Sequence, residues 1–169
     1  MQPFFIVHFC FIFVFWFTNI PVLAYVNVIS CLLYVIIYAL YRKNKLGFVF
    51  ALMTVEVLFH AAMCSEYLGD AGFTEALLFL PLLFFIHPSS LEKKILYFVL
   101  IISVYVALRY NDQFHEPLYA IDDVLLKSYA LGTSILIIII DCYIAYFAYK
   151  IIEVQKKTLI LTVNKLYKS

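Results

Sequence analysis

Glu56 and His60 lie four residues apart inside a largely apolar run that extends from Leu46 to Leu68. On a helix, that spacing places a carboxylate and an imidazole on the same face, one turn apart. Three kinds of chemistry suit such a pair: ligation of a borderline divalent metal such as zinc, a proton-linked pair, or a polar clamp on a small ligand. Two donors do not complete a metal site. The competing reading is a Glu–His or Glu–Tyr hydrogen-bond network that only fixes helix packing, for which the fourteen tyrosines supply ready partners. Ionisable groups at membrane depth are costly and commonly face a bundle interior or a wet cavity, where they mark a functional site. The stretch closes in a turn carrying Gly69, Asp70 and Gly72, followed by Phe73.

The elements that position this pair follow from composition. The chain has 169 residues, 66% of them hydrophobic and 14% charged, with a mean hydropathy of +0.98. A soluble domain of this length needs more polar surface than that, so the expected class is an all-α integral membrane protein. Cys10, Cys31, Cys64 and Cys142 fall in apolar runs without a CxxC pair or Cys/His cluster; they read as small packed hydrophobes. The first apolar run, Phe4 to Phe17, lacks a basic leading segment and a small-residue cleavage site, so it reads as a retained span.

A crossing helix needs about 20 apolar residues. Six candidate spans result, approximately Pro3–Thr18, Val22–Tyr41, Leu46–Leu68, Phe73–Ile86, Leu91–Tyr110, and a sixth beginning near Val124. Asn19-Ile20-Pro21 separates the first two, and Ser90 is placed to cap the fifth. In this scheme Arg42, Lys43, Lys45, Lys93, Lys94, Lys150, Lys156 and Lys157 share one side. Glu66, Asp70, Glu75, Asp112, Glu116, Asp122 and Asp123 share the other, with Arg109 and Lys127 as exceptions. The positive-inside rule then puts the basic side and both termini in the cytoplasm. Glu56 and His60 fall in the outer half of the third span. The further ligands expected from the outer side are His115, Asp122 and Asp123, with Glu66, Asp70 and Glu116 nearby.

Residues 1–150 are expected to form the membrane domain and residues 151–169 a cytoplasmic signalling helix. Ile152, Leu159 and Leu166 recur at heptad spacing, with Val163 in a partial second seam, the pattern of a helix that pairs with another in a homodimer. The alternative is an amphipathic tail whose lysines meet anionic lipid. The stripe reaches Ser169 without a Gly or Pro stop, and the expected continuation is a cytoplasmic output domain. Asp141, near the middle of the sixth span, is a candidate coupling residue. It could equally be neutralised by a tyrosine or by Asn27, or pair across a dimer axis. Arg109 reads as a snorkelling cation or as a hold on an anionic ligand. His8 and His87 read as lone histidines near opposite surfaces, an arrangement that does not suit paired haem ligation.

No hydrolase elbow, phosphate loop or HExxH motif is present, so catalysis is not expected of these residues. Nor is a nucleic-acid partner. The Glu-x3-His pair, the turn Leu68-Gly69-Asp70-Ala71-Gly72-Phe73 and the closing Asn164-Lys165-Leu166-Tyr167-Lys168-Ser169 resemble the six-span membrane sensor domains at the N-terminus of bacterial nucleotide cyclases. The GGDEF diguanylate cyclases are the nearest type, and class III adenylate cyclases carry related domains. The resemblance implies a homodimer in the bacterial inner membrane. It implies a ligand or cation site open to the outer face, matched here by Glu56 and His60, and a closing helix that sets the geometry of the sensor's own C-terminal diguanylate cyclase. The Gly-Gly-Asp-Glu-Phe motif itself is not in the chain. Two other classes compete: a small ion- or proton-coupled transporter or channel using Glu56, His60 and Asp141, and a membrane anchor without a ligand. Six spans without a visible inverted repeat fit a transporter core poorly.

Overall fold

The structure is a computed structural model in which residues 2–81 and 90–166 are described. It is all-helical, with no strand among the described residues. In chain order it comprises α1 (Gln2–Phe17), α2 (Pro21–Arg42), α3 (Leu46–Leu68), a 3-10 segment (Thr74–Phe79), α4 (Leu91–Phe114) and α5 (Asp123–Leu166). Three stretches, Pro21–Arg42, Leu46–Leu68 and Asp123–Val154, are long and apolar enough to cross a membrane, and Pro3–Phe17 is a shorter apolar helix.

The breaks between helices have local causes. Asn19 (φ 62°) and Asn44 (φ 55°) take the left-handed conformation that asparagine tolerates better than most residues, and they turn α1 into α2 and α2 into α3. Pro21 opens α2, where a missing N–H costs nothing. Ser90 occupies the position before α4, but its side chain makes no capping hydrogen bond. Asp122 serves that role for α5, accepting the Val124 N–H at 2.9 Å. Helix α4 also runs on to Phe114, taking in residues 111–114, which the sequence assigns to the following connection.

The expected fourth span, Phe73–Ile86, begins as a 3-10 helix rather than an α-helix. Pro81 explains the tighter winding, because an α-helix there would press its ring against the Leu77 carbonyl and leave that carbonyl unpaired. Instead the Leu80 N–H bonds the Leu77 carbonyl three residues back. Residues 82–89, including His87, lie outside the described residues.

Helix α1 packs on α2 and α2 on α3, while the 3-10 segment wedges against α3, α4 and α5. Two apolar clusters result. One joins Phe4, Tyr34, Met53, Val57, Leu77, Ile101, Ile140 and Ile144. The other joins Phe15, Leu23, Cys64, Leu68, Phe73 and Tyr129. In an apolar window on α5 only 12% is buried, against 44% on α2, so α5 leaves most of its surface outside the bundle.

The Gly69–Gly72 turn ties α3 to α5. Both glycines have positive φ, 65° and 80°. At Gly72 a Cβ would come 2.5 Å from Thr133 Oγ1 and 3.1 Å from Ala130 Cα on α5. Thr133 in turn donates to the Ala71 carbonyl at 3.2 Å. Gly72→Ala is therefore expected to cost about 1–3 kcal/mol through backbone strain and the clash. Thermal unfolding of the purified protein checks this, with Gly47→Ala, which meets nothing within 4 Å, leaving the midpoint unchanged or higher.

Candidate functional site

Helix α3 buries a stripe that includes Val49, Met53, Glu56, Val57, Ala61 and Cys64. The period of that stripe, rather than any local preference, turns the Glu56 carboxylate inward. Helix α2 meets it with a stripe of its own, in which Asn27, Ser30 and Tyr34 recur at spacings of three and four between Leu23 and Ile37. The Ser30 hydroxyl donates to Glu56 Oε1 at 2.7 Å and the Tyr34 hydroxyl to Oε2 at 2.9 Å. Glu56 is 3% exposed and is held on both oxygens.

Helix α1 adds the member that sequence reasoning left out. His8 is 6% exposed and is not a lone histidine. Its Nδ1 is 2.8 Å from Asn27 Oδ1 and its Nε2 is 3.3 Å from Glu56 Oε1. Its ring stacks on Tyr34 and meets His60 edge-on, with ring centroids 4.8 Å apart. Ligand atoms of His8, Glu56 and His60 all lie within 4.8 Å of one another. His60 Nε2 is 3.5 Å from Cys64 Sγ, and His60 Nδ1 is buried without a hydrogen-bond partner among the described residues.

These three residues line a cavity of about 60 Å³ walled by Phe11, Phe73 and, from α5, Thr133, Leu136, Ile137 and Ile140. One water needs roughly 10–15 Å³ on this measure, so the space accommodates an ion with a water or a few waters. Phe73 is the joint between the site and its surroundings: its ring contacts His60, Phe11, Phe15 and Tyr129 at centroid distances of 6.1, 5.5, 5.9 and 6.2 Å. A wider cleft of about 410 Å³ runs between α1 and α5, lined by Phe11, Val14, Thr18, Ser128, Gly132 and Leu136 among others.

The remaining expected ligands sit elsewhere. The three-residue group does not include His115, Asp122 or Asp123, all of which are exposed. Asp122 caps α5, and Asp123 pairs with Lys127 at 3.4 Å. Near the same turn a separate polar group forms. Arg109 pairs with Asp70 and, at 3.5 Å, with Glu75, while Asp112 accepts from Ser65 (2.5 Å) and Thr74 (3.3 Å). Arg109 thus has protein carboxylates as its partners. The backbone of the following connection is held too, since the Leu118 and Tyr119 N–H groups donate to the Glu66 and Tyr67 carbonyls at 3.1 and 3.0 Å.

Asp141 on α5 is not neutralised by Asn27, whose amide is engaged with His8 and the Leu23 carbonyl. Its Oδ1 is buried without a partner among the described residues. Ile152 is 62% exposed. The side chains of Leu159, Val163 and Leu166 lie outside the described residues, although their backbone continues α5.

No protein-family model matches the chain, and neither a curated protein nor a solved structure matches it. Tyr34→Phe is expected to destabilise the fold by about 1–3 kcal/mol, because it leaves a buried carboxylate oxygen without its donor. Denaturant or thermal unfolding of the variant beside the parent measures that loss.

Proposed function

We propose that this chain is the membrane sensor domain of a signalling protein, taking a small ligand or divalent cation at the His8–Glu56–His60 constellation. The observation that carries this reading is that the cavity holding these groups has α5 as one wall, through Thr133, Leu136, Ile137 and Ile140. Input and output then share a surface. A ligand that binds one arrangement of α5 better than another shifts the population between them, and a helix of 44 residues carries that shift well beyond the bundle.

Three features support α5 as the moving part. It packs chiefly on the 3-10 segment, it faces α1 across the wide cleft, and most of its surface lies outside the bundle. The six-span arrangement in the bacterial inner membrane, with both termini in the cytoplasm, belongs to this proposal and rests on the segregation of basic and acidic residues. So does the homodimer, in which Ile152, Leu159, Val163 and Leu166 of two copies pair. The output is a C-terminal diguanylate cyclase, as the resemblance to cyclase sensor domains implies. Asp141, whose buried Oδ1 on the same helix has no partner among the described residues, is the residue through which α5 distinguishes its two positions.

Disulfide cross-linking in membranes tests the reading. With Cys10 and Cys142 replaced by serine, a cysteine at position 152 is expected to form a symmetric cross-link between copies. Its yield should change at least 2-fold in Glu56→Gln. No cross-link, or a yield indifferent to Glu56, rules out this route from site to helix.

A further inference from the structure

His8 meets an oxygen atom on each side of its ring. On one side Nδ1 is 2.8 Å from Asn27 Oδ1. The orientation of that amide is set by the Leu23 carbonyl, 2.8 Å from Asn27 Nδ2, since only the amide nitrogen can donate to a carbonyl. His8 Nδ1 must therefore carry the proton. On the other side Nε2 lies 3.3 Å from Glu56 Oε1, which already accepts from Ser30. In a neutral His8, that nitrogen would turn a lone pair toward a carboxylate oxygen, which is repulsive. Something positive belongs between them, either a second proton or a metal ion.

The spacing accommodates an ion. The 3.3 Å between Nε2 and Oε1 is longer than the usual 2.7–2.9 Å of a charge-assisted N–H···O bond. Two ligand atoms each about 2.05 Å from a tetrahedral zinc ion stand roughly 3.3 Å apart. His60 brings a third donor, with a buried ring nitrogen that has no partner among the described residues and a ring that lines the same cavity. With its Nε2–H directed at Cys64 Sγ, 3.5 Å away, the Nδ1 lone pair is left for an ion, toward which donors within 4.8 Å of one another would draw in to the roughly 3.3 Å of a tetrahedral site.

We propose that His8, Glu56 and His60 are the three protein ligands of a zinc-class divalent cation, with water in the fourth position. This rests on the sensor reading only in using the same constellation, and it names that constellation's ligand. Two imidazoles and one carboxylate are the donor set of an open zinc site. They are a poor match for calcium or magnesium, which require six or more oxygen donors or several retained waters. The outer partners are those a metal site needs. Asn27 fixes the His8 tautomer, while Ser30 and Tyr34 orient the carboxylate. The cavity has room for the ion and its water.

The test uses the full chain in lipid nanodiscs, stripped with chelator and reloaded with Zn2+ or Co2+. One bound ion per chain is expected by elemental analysis, and Co2+ should give the intense visible d–d absorption of a tetrahedral centre, abolished by excess Zn2+. His8→Ala and His60→Ala should each weaken binding by at least 100-fold. Asn27→Leu should weaken it about 10–100-fold while keeping the stoichiometry. A stripped parent chain that takes up neither metal overturns the proposal and leaves a proton between His8 and Glu56. So does a folded His8→Ala chain that binds as tightly as the parent. Because the parent measurement needs no variant, misfolding of a mutant cannot mask the answer. No uptake alongside a position-152 cross-link that still responds to Glu56→Gln removes the metal and keeps the sensor. Uptake with an unresponsive cross-link does the reverse.

Discussion

A carboxylate enclosed by aliphatic and aromatic side chains must be compensated on every oxygen, and Glu56 imposes that condition on this bundle. Ser30 and Tyr34 on α2 donate to its two oxygens, and His8 on α1 stands across the 3.3 Å gap assigned to the ion. Those contacts fix the rotation of α1, α2 and α3 about their axes, because turning any of them by one residue would break a hydrogen bond inside an apolar interior. The apolar clusters on either side of the carboxylate fill the space that this polar registration leaves. Non-directional packing could accommodate several rotations; a directional contact at 2.7–2.9 Å accommodates few.

Around that fixed set, the connection to α5 is built from shape. Phe73 leans on His60 and on Tyr129 of α5. Gly72 lets α5 approach closer than any side chain would allow, and Thr133 donates to the Ala71 carbonyl beside it. The turn between α3 and the 3-10 segment is thus both the end of the helix bearing the polar pair and the seat of the long helix. His60 and α5 share one aromatic neighbour, the Phe73 ring. The arrangement suits the proposed transmission of a signal, since two packed states of an aromatic contact are discrete rather than graded.

Much of this was legible in the sequence, and the parts that were not have identifiable causes. The all-helical class and the first three helix boundaries follow from hydropathy and from asparagine and proline punctuation. The 3-10 winding before Pro81 escaped because the apolar run Leu77–Ile86 looks continuous unless the proline's missing N–H is weighed against the Leu77 carbonyl. His8 was set aside because its spacing to Glu56 along the chain carries no information; only helix pairing brings α1 and α3 to a common cavity. The cue that was available lay on α2. Asn27, Ser30 and Tyr34 form a polar line on an otherwise apolar helix face and call for polar partners opposite. Acidic residues near the outer turn suggested ligands by proximity of side alone. Capping and ion pairing engage Asp122, Asp123 and Asp70 instead.

The compensation of Glu56 also carries a consequence for biogenesis. Among the described residues, the side chains that reach this carboxylate (Ser30, Tyr34 and His8) belong to α1 and α2, both of which precede α3 in synthesis. A charged side chain near the centre of an inserting helix raises the insertion free energy by about 2.5–3.5 kcal/mol. In the proposed membrane arrangement the growing chain delivers Ser30, Tyr34 and His8 before α3 emerges, so the third helix enters against a receptive surface. The polar contacts to Glu56 can form within residues 2–68, ahead of α5, which then adds the remaining wall of the cavity.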